Sequence, residues 1–308
     1  MNQDVYDVIM IGAAPAGLTA AIYTARERLK TLVLEKSQCG GLAATTELIE
    51  NYPGFPDGIS GMELTAKMKA QAEKFGAEII ELEEVKELIP SQDRLISLRS
   101  EDKTFQGRSV IIASGSIPKM LNLPGEKELR GRGVTYCATC DGPLFRGKDV
   151  AVIGCGNSGL QEGEALLKYV KSVTFVEFLS AMTASVILQE RLRQHKNAAF
   201  LLNHALIAIN GKNVVDSITV KERASGLEKK VAVSGVFIYA GYIANSQFLK
   251  GVVKLDTQGY IITDDRMQTS VPGIFAVGDI RAKEVRQITV ACAEGTIAAL
   301  AVREYLTA

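Results

Sequence analysis

The apolar positions of this chain fall into short runs separated by glycine turns. Val5–Ile11 (VYDVIMI) is nearly continuous, the pattern of a strand buried on both faces of a parallel sheet. A turn of Gly, Ala and Pro follows at 12–17. Residues 18–28 then carry alanines and polar residues at helical spacing, which predicts a helix. Thr31–Leu34 is a second apolar strand, ended by Glu35. Strand, helix and strand make a βαβ unit.

The same order recurs further on. Asp149–Ile153 predicts a strand, 154–159 a glycine turn, 160–171 a helix and 173–176 a strand ended by Glu177. Two such starts about 140 positions apart predict two nucleotide-binding-type domains rather than one. Residues 110–113 (VIIA) and 236–239 (VFIY) are strands followed by Gly115 and Gly241, junctions where a chain can cross between domains. Beyond the second junction, 273–279 (GIFAVGD) reads as a strand and an acidic turn, and 289–305 as a closing helix. The expected fold class is α/β, with two Rossmann-like three-layer nucleotide-binding domains, the second inserted into the first. The first is expected over 1–115 and 246–308. The second, which carries a Cys-x-x-Cys, is expected over 116–245.

Composition narrows the partners. A chain of 308 residues exceeds one ordinary core and suits two domains of roughly 100–200 residues. Lys+Arg and Asp+Glu are both 35, so no global basic field draws the chain to nucleic acid or to an anionic membrane. No apolar run approaches the roughly 18 residues that span a bilayer. Residues 1–7 are polar and acidic, unlike a signal peptide. The expectation is a cytoplasmic protein with no nucleic-acid or membrane partner. Five cysteines do not make a disulfide scaffold, and in a reducing compartment a Cys-x-x-Cys points to redox or metal chemistry.

Three places carry candidate chemistry. Gly12-Ala13-Ala14-Pro15-Ala16-Gly17 departs from G-x-G-x-x-G at Ala14, whose methyl tightens the approach of a pyrophosphate. The helix start still offers N–H groups to phosphate, and Glu35, about 20 residues on, is placed to accept from a ribose hydroxyl. A plain βαβ crossover with a tight turn is the alternative. Gly154-Cys155-Gly156-Asn157-Ser158-Gly159 is a complete fingerprint, with Glu177 ending the next strand. Glu177 would repel a 2′-phosphate, and no arginine follows in 178–185, so this domain is poorly matched to NADPH. NADH binding and a retained, empty shell both remain open.

Cys137-Ala138-Thr139-Cys140-Asp141 is the strongest element. Its spacing permits a reversible disulfide with one thiol lowered in pKa, and Asp141 is placed to pass a proton to a leaving thiolate. Structural zinc would need four ligands, yet His195 and His204 are distant and there is no second Cys-x-x-Cys, so no metal is expected. Cys39, Cys155 and Cys292 lie among small or apolar residues and read as buried free thiols.

Residues 131–142 (GRGVTYCATCDG) closely resemble the low-molecular-weight thioredoxin reductases. Residues 49–55 (IENYPGF), 269–279 (TSVPGIFAVGD) and Arg286-Gln287 resemble other signatures of that family, so the likeness spans essentially the whole chain. It implies FAD in the first domain. Gly12, Ala13, Pro15, Ala16 and Gly17 would cradle the pyrophosphate, and Glu35 and Lys36 would meet the adenosine ribose. Gly41, Leu42, Asn51, Ala113, Ser114 and Gly115 would line the flavin arm. Gly278 and Asp279 would bind the ribityl or phosphate region, and Arg286, Gln287 and Ile288 would approach the isoalloxazine. Cys140 would face the flavin, Cys137 would attack the thioredoxin disulfide, and Asp141 would be the acid/base. The resemblance also implies a homodimer and a domain rotation that presents the cysteines alternately to flavin and to thioredoxin.

The departures set the expected donor. Val176, Glu177 and Phe178 stand where the family has a His-Arg-Arg run that binds the NADPH 2′-phosphate, and the next arginine is Arg191. Gly159 stands where the family usually has Ala, and Ala14 where it usually has Gly. The chain therefore resembles an atypical branch such as the flavin-type ferredoxin:thioredoxin reductases. The expected activity is FAD-dependent reduction of thioredoxin or a thioredoxin-like protein, with electrons from a non-NADPH donor, ferredoxin first, passing through FAD and Cys137–Cys140. An NADH-dependent reductase and an FAD-dependent dithiol oxidase are the alternatives. A flavin-binding scaffold without turnover is disfavoured by Cys137, Cys140 and Asp141.

Overall fold

The computed structural model describes residues 5–91 and 93–308. The chain divides into two compact units, one built from residues up to 44, 48–117 and 243–308, the other from 45–47 and 118–242. In chain order the first unit contributes β1 (Val5–Ile11), α1 (Pro15–Arg26), β2 (Thr31–Leu34), α2 (Gly41–Ala44), α3 (Gly61–Lys74), β3 (Glu78–Ile80), β4 (Glu87–Pro90), β5 (Ile96–Arg99) and β6 (Thr104–Ile112). A connecting strand, β7 (Ser116–Pro118), leads into β8 (Val134–Thr135), α4 (Ala138–Asp141), β9 (Asp149–Ile153), α5 (Asn157–Leu166), β10 (Ser172–Glu177) and α6 (Val186–Gln194). Next come β11 (Ala198–Leu202), β12 (His204–Asn210), β13 (Ser217–Glu222), β14 (Glu228–Ala232) and β15 (Gly235–Ile238). The chain returns through β16 (Tyr242–Ala244) to β17 (Ile274–Ala276) and α7 (Ile288–Thr307).

In the first unit the sheet order is β3-β2-β1-β6-β5-β4, with β17 also on β6. Strands β3, β2, β1, β6 and β17 are parallel. Besides β1, strand β6 serves two further neighbours: its first half pairs antiparallel with β5, and Val110–Ile112 pair with β17. The unbroken apolar run of β1 has its reason here. Val8 and Met10 point into a core shared with Leu18 and Ala21 of α1 and Ala298 and Val302 of α7. Ile9 and Ile11 point to the opposite core with Leu98, Leu249 and Ile261. Both faces are covered, so alternation of polar and apolar residues is not selected.

Helix α1 starts at Pro15, three residues before the sequence-based expectation. Proline at the first helical position loses no hydrogen bond, and its fixed φ suits the helix. Helix α7 lies close on α1, for a Cβ on Gly295 would come within 2.4 Å of the Ala16 carbonyl oxygen. In the second unit the order is β11-β10-β9-β15-β8, all parallel, beside an antiparallel meander β12-β13-β14. Helix α5 stops at Leu166 rather than continuing to 171, and 167–170 close into a turn with Tyr169 and Val170 N–H donating to the Leu166 carbonyl. Both units are thus Rossmann-like α/β layers. Among the described residues no helix is long and apolar enough to cross a membrane.

Candidate active site

The two glycine turns are built alike. Strand β1 leads into Gly12 and β9 into Gly154, with φ of +111° and +103°, a left-handed conformation that glycine adopts without strain. A Cβ at either would lie 2.4 Å from a carbonyl oxygen, of Ala113 and Tyr239 respectively. At Gly17 and Gly159 a Cβ would lie 2.0 Å from the oxygen of Gly12 and Gly154. Glycine is needed at both places for the helix to start so close to the strand end. Ala14 is different: its φ of −86° is ordinary, so the methyl costs no strain, and it faces Gly41 across the turn.

A carboxylate locks each turn. Glu35 accepts the Ala13 N–H at 2.8 Å and the Ser37 N–H at 3.0 Å. Glu177 accepts the Cys155 N–H at 2.6 Å and the Leu179 N–H at 3.0 Å. Both glutamates are buried. A buried carboxylate is retained when charge-assisted N–H bonds replace its water, and here those bonds fix the loop where a dinucleotide would lie.

All the sequence-expected cofactor residues lie in the first unit, most of them at one edge. Gly12, Ala13, Pro15, Ala16 and Gly17 follow the carboxyl end of β1, and Glu35 and Lys36 that of β2. Ala113, Ser114 and Gly115 follow β6, and Gly278 and Asp279 follow β17. Ligands of open parallel sheets bind outside these strand ends. Gly40 N–H donates to the Ala13 carbonyl, which seats the loop carrying Gly41 and Leu42 on the turn. Asn51 Nδ2 donates to Gln287 Oε1 at 3.1 Å, joining two segments 236 positions apart. Ser114 Oγ donates to the Asn245 carbonyl at 3.0 Å. Arg286 lies over the Tyr260 ring at 4.4 Å, and Ile288 opens α7 after Gln287. The FAD implied by the resemblance fits this cradle: α1 has no side-chain cap, so its first N–H groups face the edge where a pyrophosphate would sit.

The second unit carries the redox pair. Cys137 and Cys140 form a disulfide, with Cα atoms 5.4 Å apart. Cys140 is exposed and Cys137 half-buried. Cys137 Sγ sits at the N-cap of α4 and accepts the Cys140 N–H at 3.2 Å, a bond that favours thiolate at Cys137 once the pair is reduced. Asp141 accepts from the Thr135 hydroxyl, and Thr135 Oγ1 accepts the Cys137 N–H at 3.2 Å. Tyr239, at the end of β15, accepts the Ala138 N–H at 2.9 Å. Burial, then the Glu162 charge, raises its hydroxyl pKa, so it stays neutral.

Sequence reasoning missed Thr135 and Tyr239. Each ends a strand beside the redox helix, so a strand–turn reading of 134–141 and 235–239 could have found them. It also missed Arg281, Lys283 and Glu294, which only the packing of α7 brings together. Outside the pair, Cys39 and Cys155 have thiol pKa values pushed up to about 12, chiefly by burial. Cys155 is buried, whereas Cys39 and Cys292 are only partly so.

Comparison with known proteins gives the family. A family profile described as pyridine nucleotide-disulphide oxidoreductase matches residues 6–295. The chain is 43% identical to the thioredoxin reductase of Bacillus subtilis (strain 168), over 99% of this chain and 96% of that one. The crystal structure of Lactococcus lactis thioredoxin reductase in its FR conformation is 39% identical, covering 98% of this chain and 99% of that chain with a TM-score of 0.95. A ferredoxin-flavin thioredoxin reductase from Clostridium acetobutylicum is 27% identical, covering 99% and 98% with a TM-score of 0.54. The chain belongs to the pyridine nucleotide-disulphide oxidoreductases and, within them, to the thioredoxin reductases.

Proposed function

We propose that this flavoprotein disulfide oxidoreductase reduces thioredoxin with electrons from a donor other than NADPH, ferredoxin being the first candidate. The observation that carries the reading is Glu177. Its carboxylate is buried at the end of β10 with both oxygens held by backbone N–H groups, at the place where a 2′-phosphate would need cations. Arg191, the next arginine in sequence, pairs with Glu164 at 3.1 Å. The Bacillus subtilis and Lactococcus lactis relatives are described only as thioredoxin reductases.

FAD supplies a centre that takes electrons singly or in pairs and passes two of them on to a disulfide. The chain does the rest. Two electrons from bound FAD would break the S–S bond at the exposed Cys140 sulfur and leave both sulfurs reduced, Cys137 as a thiolate held by the Cys140 N–H. Asp141, positioned by Thr135, would deliver one proton and solvent the second, so that two electrons and two protons yield two thiols. Cys137 then attacks the thioredoxin disulfide, and Cys140 resolves the mixed disulfide. Exposed Tyr23, Ile297 and Leu300 on α1 and α7 support a homodimer, with light scattering of the holoprotein as its test. Thiol chemistry of this kind suits a reducing, cytoplasmic setting.

The test is anaerobic reduction of the holoprotein followed by flavin absorbance, with NADPH, NADH and reduced ferredoxin offered in turn. Fast bleaching by ferredoxin and not by NADPH is expected. Fast bleaching by NADPH would overturn the reading. One observation favours NADH as a second reading: the Gly154 turn keeps the glycine geometry of the Gly12 turn and its carboxylate lock.

A further inference from the structure

The turn after β17 carries a buried ionic cluster that the redox chemistry does not use. Glu294, on α7, has a side chain only 7% exposed. Its Oε2 accepts the Gly278 N–H at 2.7 Å and Lys283 Nζ at 3.1 Å. Its Oε1 accepts Arg281 Nη1 at 2.7 Å, and Arg281 Nε also donates to Thr263 Oγ1 at 2.7 Å. Lys283, 10% exposed, reaches in addition to Asp279 at 3.7 Å. Burial pushes the Asp279 carboxyl pKa up, and Lys283, then Arg286, pull it down.

The cluster touches the dinucleotide cradle. A Cβ on Gly278 would lie 2.9 Å from the Ala16 Cβ in the first turn of α1, so the Gly278–Asp279 turn borders the N–H groups that face a pyrophosphate. Arg281 and Lys283 balance Glu294 and Asp279. Removing Lys283 alone would take from Asp279 the cation that offsets it most and leave Glu294 to Arg281, so that less compensated negative charge, poorly screened by water, would stand beside a site for an anionic dinucleotide.

We propose that Lys283 is a positioning residue for cofactor retention: with Arg281 it offsets the charge of Glu294 and Asp279 so that the FAD pyrophosphate can bind beside them. The inference rests on FAD occupying the Gly12 turn and is independent of the electron donor.

The experiment is titration of FAD into apoprotein, read by flavin fluorescence, for the wild type, Lys283→Met, Lys283→Arg and the double variant Lys283→Met with Glu294→Gln. Lys283→Met should raise the Kd for FAD by on the order of tenfold or more. Lys283→Arg should bind nearly as the wild type does. The double variant should recover most of the loss, because it restores the balance while its new side-chain amide still offers an oxygen to the Gly278 N–H. A purely packing role predicts the opposite, since the double variant also strips Arg281 of its partner. Unchanged affinity in Lys283→Met, or no recovery in the double variant, would overturn the proposal. Should Lys283→Met fail to fold, Glu294→Gln alone decides. It should hold FAD at least as tightly as the wild type, and weaker binding would sink the idea. The donor experiment can fail without touching any of these outcomes.

Discussion

Glu177 accepts the backbone N–H of Cys155 at 2.6 Å, as Glu35 accepts that of Ala13 at 2.8 Å in the other unit. The carboxylate therefore has a structural duty apart from any nucleotide. Glu177→Ala leaves two loop N–H groups without their acceptor and should cost about 2–3 kcal/mol, measured by urea unfolding. Glu177→Arg should lose at least as much, because a guanidinium would replace a buried, fully bonded carboxylate. Neither variant should gain NADPH-driven flavin bleaching.

The two cysteines should separate by step. Cys137→Ser should abolish thioredoxin turnover while sparing flavin reduction by the donor. Cys140→Ser should abolish turnover too, and should trap a mixed disulfide between Cys137 and thioredoxin, visible by mass spectrometry. Normal turnover in either variant would refute the assignment.

Asp141 and Thr135 act in series, so their variants should not be equal. Asp141→Asn removes the proton carrier and should slow thioredoxin reduction on the order of a hundredfold. Thr135→Val keeps the carboxylate but loses its positioning bond and the acceptor for the Cys137 N–H, so a smaller loss is expected. Steady-state rates at saturating thioredoxin compare the two.

Tyr239→Phe keeps the ring and removes only the acceptor of the Ala138 N–H. The loss should be about 1–2 kcal/mol, felt in the short helix that carries Cys140. Amide hydrogen exchange should quicken at 138–141 and stay unchanged in α1. Equal exchange in both proteins would mean that the hydroxyl does not hold that helix.

Glu162, on α5, is buried, and burial followed by the Glu47 charge lifts its carboxyl pKa to about 7 from 4.5. The native state then binds more protons than the unfolded chain between those two values. Stability from this group is present below pH 4.5 and is lost as pH rises to about 7. Glu162→Gln should be more stable than the wild type at pH 8, by up to about 3 kcal/mol. The difference should vanish near pH 4. Urea midpoints across that range provide the check.

Much of the fold was legible because β1 and β9 are short apolar runs, each followed by glycine and a helix. That order has few solutions, since a parallel strand must be covered on both faces. Helix ends were less legible. The start of α1 at Pro15 and the stop of α5 at Leu166 depend on the turn and on local capping, which apolar spacing does not encode. The redox pair was legible because its chemistry lies within four consecutive residues.

The sequence by itself determined what local spacing can encode: two βαβ starts, their glycine turns, the Cys137–Cys140 pair and the acidic residue that ends each second strand. Tertiary structure alone decided the rest. It turned Glu35 and Glu177 toward the turns they lock, set Tyr239 beneath the redox helix, and joined Asn51 to Gln287 across 236 positions. It also gathered Arg281, Lys283 and Asp279 around Glu294. The physical reason is common to all four. Each is a polar contact between segments apart in sequence, which forms only where packing has brought a charged or polar group to its partner; at Glu35, Glu177 and Glu294 that packing has also excluded water.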